Sequence, residues 1–112
     1  LSQTATERET IRRLNDEFRR TGAGGLVMMT PGIQALSDAD RAIVIGKVRL
    51  FAEFNEANDP HGEHDFGRIV HDDTPIFWKI DYYDRKVEFG SENPADPAQT
   101  TRVLTLMLAQ EY

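Results

Sequence analysis

The side chains best suited to chemistry gather in the stretch Asn58-Asp59-Pro60-His61-Gly62-Glu63-His64-Asp65-Phe66-Gly67 and, a little further on, in Phe77-Trp78-Lys79-Ile80-Asp81-Tyr82-Tyr83-Asp84. His61-x-x-His64 with Glu63 and Asp65 contains metal-ligand types. A zinc site, however, needs three or four ligands converging at about 2.0–2.2 Å. Pro60 and Gly62 mark a turn entering a strand, so the two imidazoles need not point the same way, and His71 is the only other histidine. The expectation is no metal and no cofactor. His64 beside Asp65, Asp81 or Tyr82 would make a workable acid–base pair, which makes His64, Asp65 and Asp81 the catalytic candidates. A nucleophile with an oxyanion-binding backbone is missing, and Gly24-Gly25 lacks the strand-loop-helix context of a phosphate loop. The plainer reading has Asp59 and Asp65 making turn hydrogen bonds while His64 ties the turn to a sheet.

Asp72, Asp73, Lys79, Asp81, Tyr83 and Glu88 are the binding candidates. Lys79, Asp81 and Tyr83 alternate with Trp78, Ile80 and Tyr82, so they share one strand face, and Glu88 joins them if the next hairpin pairs closely. Aromatic side chains among charges suit a recognition surface, although any one-sided sheet also exposes charges to water.

These residues must be positioned by the elements around them. Thr6-x-x-Glu9 has the capping-box pattern, and Ile11, Leu14 and Phe18 follow at helical spacing, predicting a helix over 7–21 with arginines at its end. Gly22, Gly24 and Gly25 stop it, and Leu26–Thr30 reads as a short strand closed by Pro31-Gly32. Ser37 caps a second helix over 38–55 with Val44, Val48 and Phe51 buried. A meander is expected over 64–90: one strand at 64–71, a turn at Asp72-Asp73-Thr74, a strand with Ile76, Trp78, Ile80 and Tyr82 inward, and a two-residue turn at Asp84-Arg85. That last turn would pair Tyr82 with Val87 and Ile80 with Phe89, and the inner row would also include Phe66 and Val70. Asp96-Pro97 opens a third helix over 97–111, apolar enough to be buried on several sides. The expected architecture is one α+β domain spanning 1–112, in the order α-β-α-β-β-β-α, with an antiparallel three- to four-stranded sheet and helices mainly on one face.

The blocks NDPHGEHDFG, FWKIDYYD, EFGSENPADP and TTRVLTLMLAQEY, with Asn15-Asp16-x-Phe18-Arg19 and the Gly24-Gly25 turn upstream, resemble a small bacterial family, a domain of unknown function. The resemblance runs from about Ile11 to Tyr112 and departs only in ordinary substitutions such as His61, where an aromatic is equally familiar. It carries over no catalytic residues. It implies a bacterial protein, often carried by plasmids, phages or other mobile elements.

Composition bounds the rest. The chain has 112 residues, 39% of them hydrophobic, enough for one core, and no cysteine, so there is no disulfide framework, thiol nucleophile or thiolate metal site. No apolar run approaches the roughly 20 residues of a membrane span, so no membrane association and a cytoplasmic location are expected. The net charge is −6. Residues 53–96 hold twelve carboxylates against four bases, a local net of −8, and the remainder is +2. Such a surface disfavours nucleic acid and favours a protein with a basic surface, with a homodimer left open. The function expected is that of a small acidic binding protein, an accessory or anti-defence factor of mobile elements. The alternative is a small hydrolase- or nuclease-like enzyme using His64 with Asp65 or Asp81.

Overall fold

The computed structural model describes residues 4–112. Helix α1 spans Ala5–Thr21, and its cap is Thr4, whose hydroxyl accepts from the Glu7 N–H at 3.0 Å, two residues ahead of the expected Thr6-Glu9 box. Gly22, at φ 75°, ends the helix in the left-handed conformation that glycine tolerates best. Strand β1 is Gly25–Met29, followed by a one-turn helix α2 (Pro31–Gln34) and then α3 (Asp38–Arg49), which is capped by Ser37 as expected. Helix α3 stops short of the expected 55. The Phe51 carbonyl instead accepts from Arg19 Nη2 at 3.1 Å, and the Asn55 and Asn58 side chains take the backbone N–H groups of residues 55, 57 and 58. Asparagine side chains compete with helical bonding in this way.

Strands β2 (Phe66–His71) and β3 (Thr74–Tyr83) form the expected hairpin. Asp72 and Asp73 have φ of 48° and 63°, the paired positive values that a type I′ turn requires. The second hairpin is different. Asp84 accepts the N–H groups of Lys86 and Glu88 on its carboxylate, which widens the turn and forces Val87 to φ 57°. The pairs Tyr82–Val87 and Ile80–Phe89 do not form; one bridge joins Tyr83 to Gly90, and Val87 and Phe89 are exposed.

The largest departure is at 97–111. The expected third helix is strand β4 (Thr101–Leu108) followed by a 3-10 turn at Ala109–Glu111. An apolar run that long reads equally as a buried helix or as a strand buried on both faces, and β4 is the second kind. The Asp96-Pro97 signal belongs to a local turn, in which Asp96 accepts from the Ala98 N–H at 2.9 Å and the Gln99 amide at 2.7 Å.

The sheet order is β1-β4-β3-β2, with β1 parallel to β4 and the other pairs antiparallel. The fold is therefore α+β with a mixed sheet rather than an antiparallel meander, in the order α-β-α-α-β-β-β. Phe18, Ile33, Val44, Val48 and Phe51 pack from the helices and the segment after α3 onto Ile69, Ile76, Trp78, Ile80, Leu104 and Leu106 of the sheet's inner face. Trp78 lies in that inner row, as expected, and is fully buried. Phe66 and Val70 do not: β2 turns Gly67, Ile69 and His71 inward, because a one-residue shift moves every side chain of a strand to the other face. Gly67 decides the register, since a Cβ there would collide with the Trp78 indole nitrogen.

Candidate functional site

The apolar stripe of α1 carries polar residues in its midst. Ile11 and Phe18 flank Asn15, and Asn15 and Arg19 are as buried as their apolar neighbours. Opposite them lies the segment that links α3 to β2, which brings Phe54, Asp59, Glu63 and His64 against the helix.

His64 sits at the centre. Its φ of 56° is left-handed, a conformation that histidine adopts more readily than branched residues but still at a cost of roughly 1 kcal/mol or more. Asp59 holds it there by accepting its backbone N–H at 3.1 Å. The ring stacks on Phe54, with centroids 3.7 Å apart and planes within 3°. Nδ1 lies 2.9 Å from Asp16 Oδ1, and Nε2 lies 3.6 Å from Asp59 Oδ2. Arg19 joins from the protein side, donating to Asp16 Oδ1 at 3.0 Å and lying over the Phe54 and Trp78 rings at 5.3 and 5.1 Å. Burial lowers the Arg19 pKa from the ordinary guanidinium value, while Asp16 opposes the shift. Among the described residues, Arg19 Nε and Trp78 Nε1 are the buried side-chain atoms without a hydrogen-bond partner.

A second layer lies behind the first. Asn15 donates to the Glu63 carbonyl at 3.0 Å and the Tyr82 hydroxyl at 2.8 Å, and accepts from Arg102 Nε at 2.7 Å. Tyr82 in turn donates to Glu63 Oε1 at 2.6 Å. Burial, then the Glu63 hydrogen bond, pushes the Tyr82 hydroxyl pKa far above the usual phenol value. Asp65 is pushed up as well, first by burial and then by Glu63. Arg102 also donates to the Pro94 carbonyl at 2.5 Å and covers the Tyr82 ring at 5.2 Å. These contacts join α1, the 59–65 segment, β3 and β4 through satisfied polar groups, the arrangement that makes buried polarity tolerable.

His64 and Asp81 are not brought together. Asp81 is on the outer face of β3, paired with Lys79 at 2.9 Å, and the carboxylates at His64 are Asp16 and Asp59. Each imidazole nitrogen of His64 therefore faces an acid rather than open space, which suits a clamp better than a general base. The binding candidates are strung out. Asp72 and Asp73 form the exposed tip of the first hairpin, Lys79, Asp81 and Tyr83 lie along β3, and Glu88 sits in the loop beyond its far end. At about 3.3 Å per residue, β3 alone separates tip from loop by roughly 30 Å.

His71 makes the other polar cluster. Among the described residues, Asp40, His71 and Asp72 are the group of three ligand-type side chains whose atoms lie within 4.8 Å of one another. His71 Nε2 is 2.9 Å from Asp40 Oδ1 and 3.5 Å from Asp72 Oδ2. Lys47 Nζ stands 3.5 Å from Nδ1. An ammonium there needs Nδ1 as acceptor, which leaves the ring proton on Nε2, whereas a metal on Nε2 needs that proton on Nδ1.

The outer face of the sheet carries no helix among the described residues. It presents Leu26 and Met28 from β1, Thr105 from β4, and Phe77, Lys79, Asp81 and Tyr83 from β3, while Val103 and Met107 of β4 point the same way but are buried among these neighbours. Phe66, Phe77 and the terminal Tyr112 form an aromatic group with centroids 5.2 to 5.9 Å apart. Residues 29–111 match the family described as Protein of unknown function (DUF3768). The chain belongs to this family. The matched residues include the whole 59–65 segment, β3 and β4, while Asn15, Asp16 and Arg19 lie upstream of them. No curated protein sequence and no solved structure matches the chain. No helix among the described residues is long and apolar enough to cross a membrane.

Asn15, Asp16, Arg19 and Arg102 were not singled out from the sequence as site residues. The available signal was Asn15, a polar residue four positions after Ile11 and three before Phe18, and thus on the buried stripe. Nothing in the sequence pairs Asp16 with His64.

Proposed function

We propose that this protein works by binding another protein through the helix-free face of its sheet, with the acidic 53–96 region steering a basic partner. The observation that carries the reading is the composition of that face: aromatic Phe66, Phe77, Tyr83 and Tyr112 and apolar Leu26 and Met28 lie around the Lys79–Asp81 pair. Aromatic and methionine side chains are enriched at interfaces, and a charged pair in their midst supports selectivity for a complementary partner. Within this reading, the protein is an accessory or anti-defence factor of a mobile element that occupies a basic surface otherwise meant for nucleic acid.

The test is affinity capture from a bacterial lysate at low and high salt, with the parent and an Asp72→Lys, Asp81→Lys, Glu88→Lys variant in parallel. The parent should retain a basic protein that fades at high salt, and the variant should lose it, since steering between exposed charges is screened over about 8–10 Å in physiological buffers. Equal capture by both would leave the acidity with no role beyond solubility. The enzymatic alternative keeps His64, with Asp16 replacing Asp65 or Asp81 as its carboxylate on the strength of the 2.9 Å contact. A hydrolytic activity abolished by both His64→Ala and Asp16→Asn would favour it.

A further inference from the structure

The two edges of the sheet are treated differently. At β2, Lys47 donates to the Val70 carbonyl at 2.8 Å, and Arg68 places a charge on the strand itself. These are devices by which proteins keep an edge from pairing with another chain. Strand β1, Gly-Leu-Val-Met-Met, has no charge and no proline, and Leu26, Val27 and Met28 are 48%, 43% and 54% exposed in succession.

Its hydrogen-bonding groups sort by parity. Thr30 N–H bonds to the Leu106 carbonyl at 3.1 Å, so Leu26 and Met28, which share its direction, turn toward β4. Gly25, Val27 and Met29 turn outward. The Met29 carbonyl is covered by the Gln34 amide at 2.7 Å, and both backbone groups of Val27 point to the open side.

We propose that β1 pairs antiparallel with β1 of a second copy, about a two-fold axis between the two Val27 residues, to make one eight-stranded sheet. The outward residues are symmetric about Val27, so Val27 faces its own copy as a hydrogen-bonded pair and Gly25 faces Met29. Leu26 then meets Met28 of the other copy on the outer face, and the two Val27 side chains meet on the helix side. Every cross-strand pair is uncharged and apolar, so a chain of net charge −6 meets itself here without like charges in register. The acidic hairpin tip at Asp72-Asp73 belongs to the β2–β3 pair at the other side of the sheet. The pairing does not depend on the binding reading above.

Sedimentation of the intact chain from micromolar to millimolar concentration should show a mass that doubles. Val27→Pro removes an N–H that the monomer's own ladder does not use, and should return the mass to monomer with the circular dichroism retained. Because the chain has no cysteine, a Val27→Cys variant supplies an independent reading under mild oxidation. Residues in a hydrogen-bonded pair have Cα atoms about 5.5 Å apart, within disulfide reach, whereas Met28→Cys residues would be diagonal, at about 7–8 Å. Val27→Cys should cross-link and Met28→Cys should not. A monomer at every concentration overturns the pairing and leaves the binding reading standing. So does a dimer in which both cysteine variants cross-link equally.

Discussion

Each face of the sheet carries, beside its usual residues, some more typical of the other: polar groups amid the core and apolar groups among the outer charges. The helix-covered side hides Asn15, Arg19, Glu63 and Arg102, and the uncovered side displays Leu26, Met28, Phe77 and Tyr112. Charge inside is tolerated where its groups find partners, with Arg19 Nε the exception, and apolar surface outside is retained where something is to meet it. The contrast separates residues that hold the fold from residues free to recognise.

The strongest way to break the contrast is from within. Arg102→Ala would leave Asn15 Oδ1 and the Pro94 carbonyl without their donor, and should cost about 2–6 kcal/mol in urea unfolding, since each buried acceptor left unsatisfied costs about 1–3 kcal/mol. Next in size is Gly67→Ala, which overpacks the indole of Trp78 and should cost about 1–3 kcal/mol, with a shifted tryptophan emission.

Asp65 works in the opposite direction. Its folded pKa is raised, so its charged form is disfavoured in the native state. The stability associated with it is fully present below the unfolded value and is lost as pH rises through the folded one. Asp65→Asn should therefore raise the unfolding midpoint at pH 7, with a gain that disappears in acid below about pH 4. Equal gains at both pH values would mean that its burial does not control its titration. The smallest effect belongs outside: Met28→Ser should change stability by no more than about 0.5 kcal/mol. A large loss there would show that the outer face supports the fold and is not a free surface.

The helices at 5–21 and 38–49 were legible from capping residues and apolar spacing, and β3 from strict alternation. The inner position of Trp78 followed from the same alternation. Strand β4 was not legible, because Val103, Leu104, Leu106 and Met107 are buried on both faces and leave no period to read. The inward parity of β2 turned on Gly67, whose role depends on an indole eleven positions away. Of the candidate site, the 59–65 segment stood out by composition. Its partners did not: Asp16 reaches His64 across forty-eight positions, and Arg19 resembled an ordinary helix-end cation until burial placed it under two rings.

Strand β4 lies between β1 and β3, yet it is the last of the four to be synthesised. While a ribosome makes this chain, β1 has no partner, and the β2–β3 hairpin exposes the edge that β4 will fill. Thr30 must wait for Leu106, seventy-six positions later. Contacts so distant in sequence slow folding and prolong the time for which unpaired edges are open to chaperones or to neighbouring nascent chains. A ribosome that stalls before residue 101 would release helices and a hairpin without the strand that makes them one sheet.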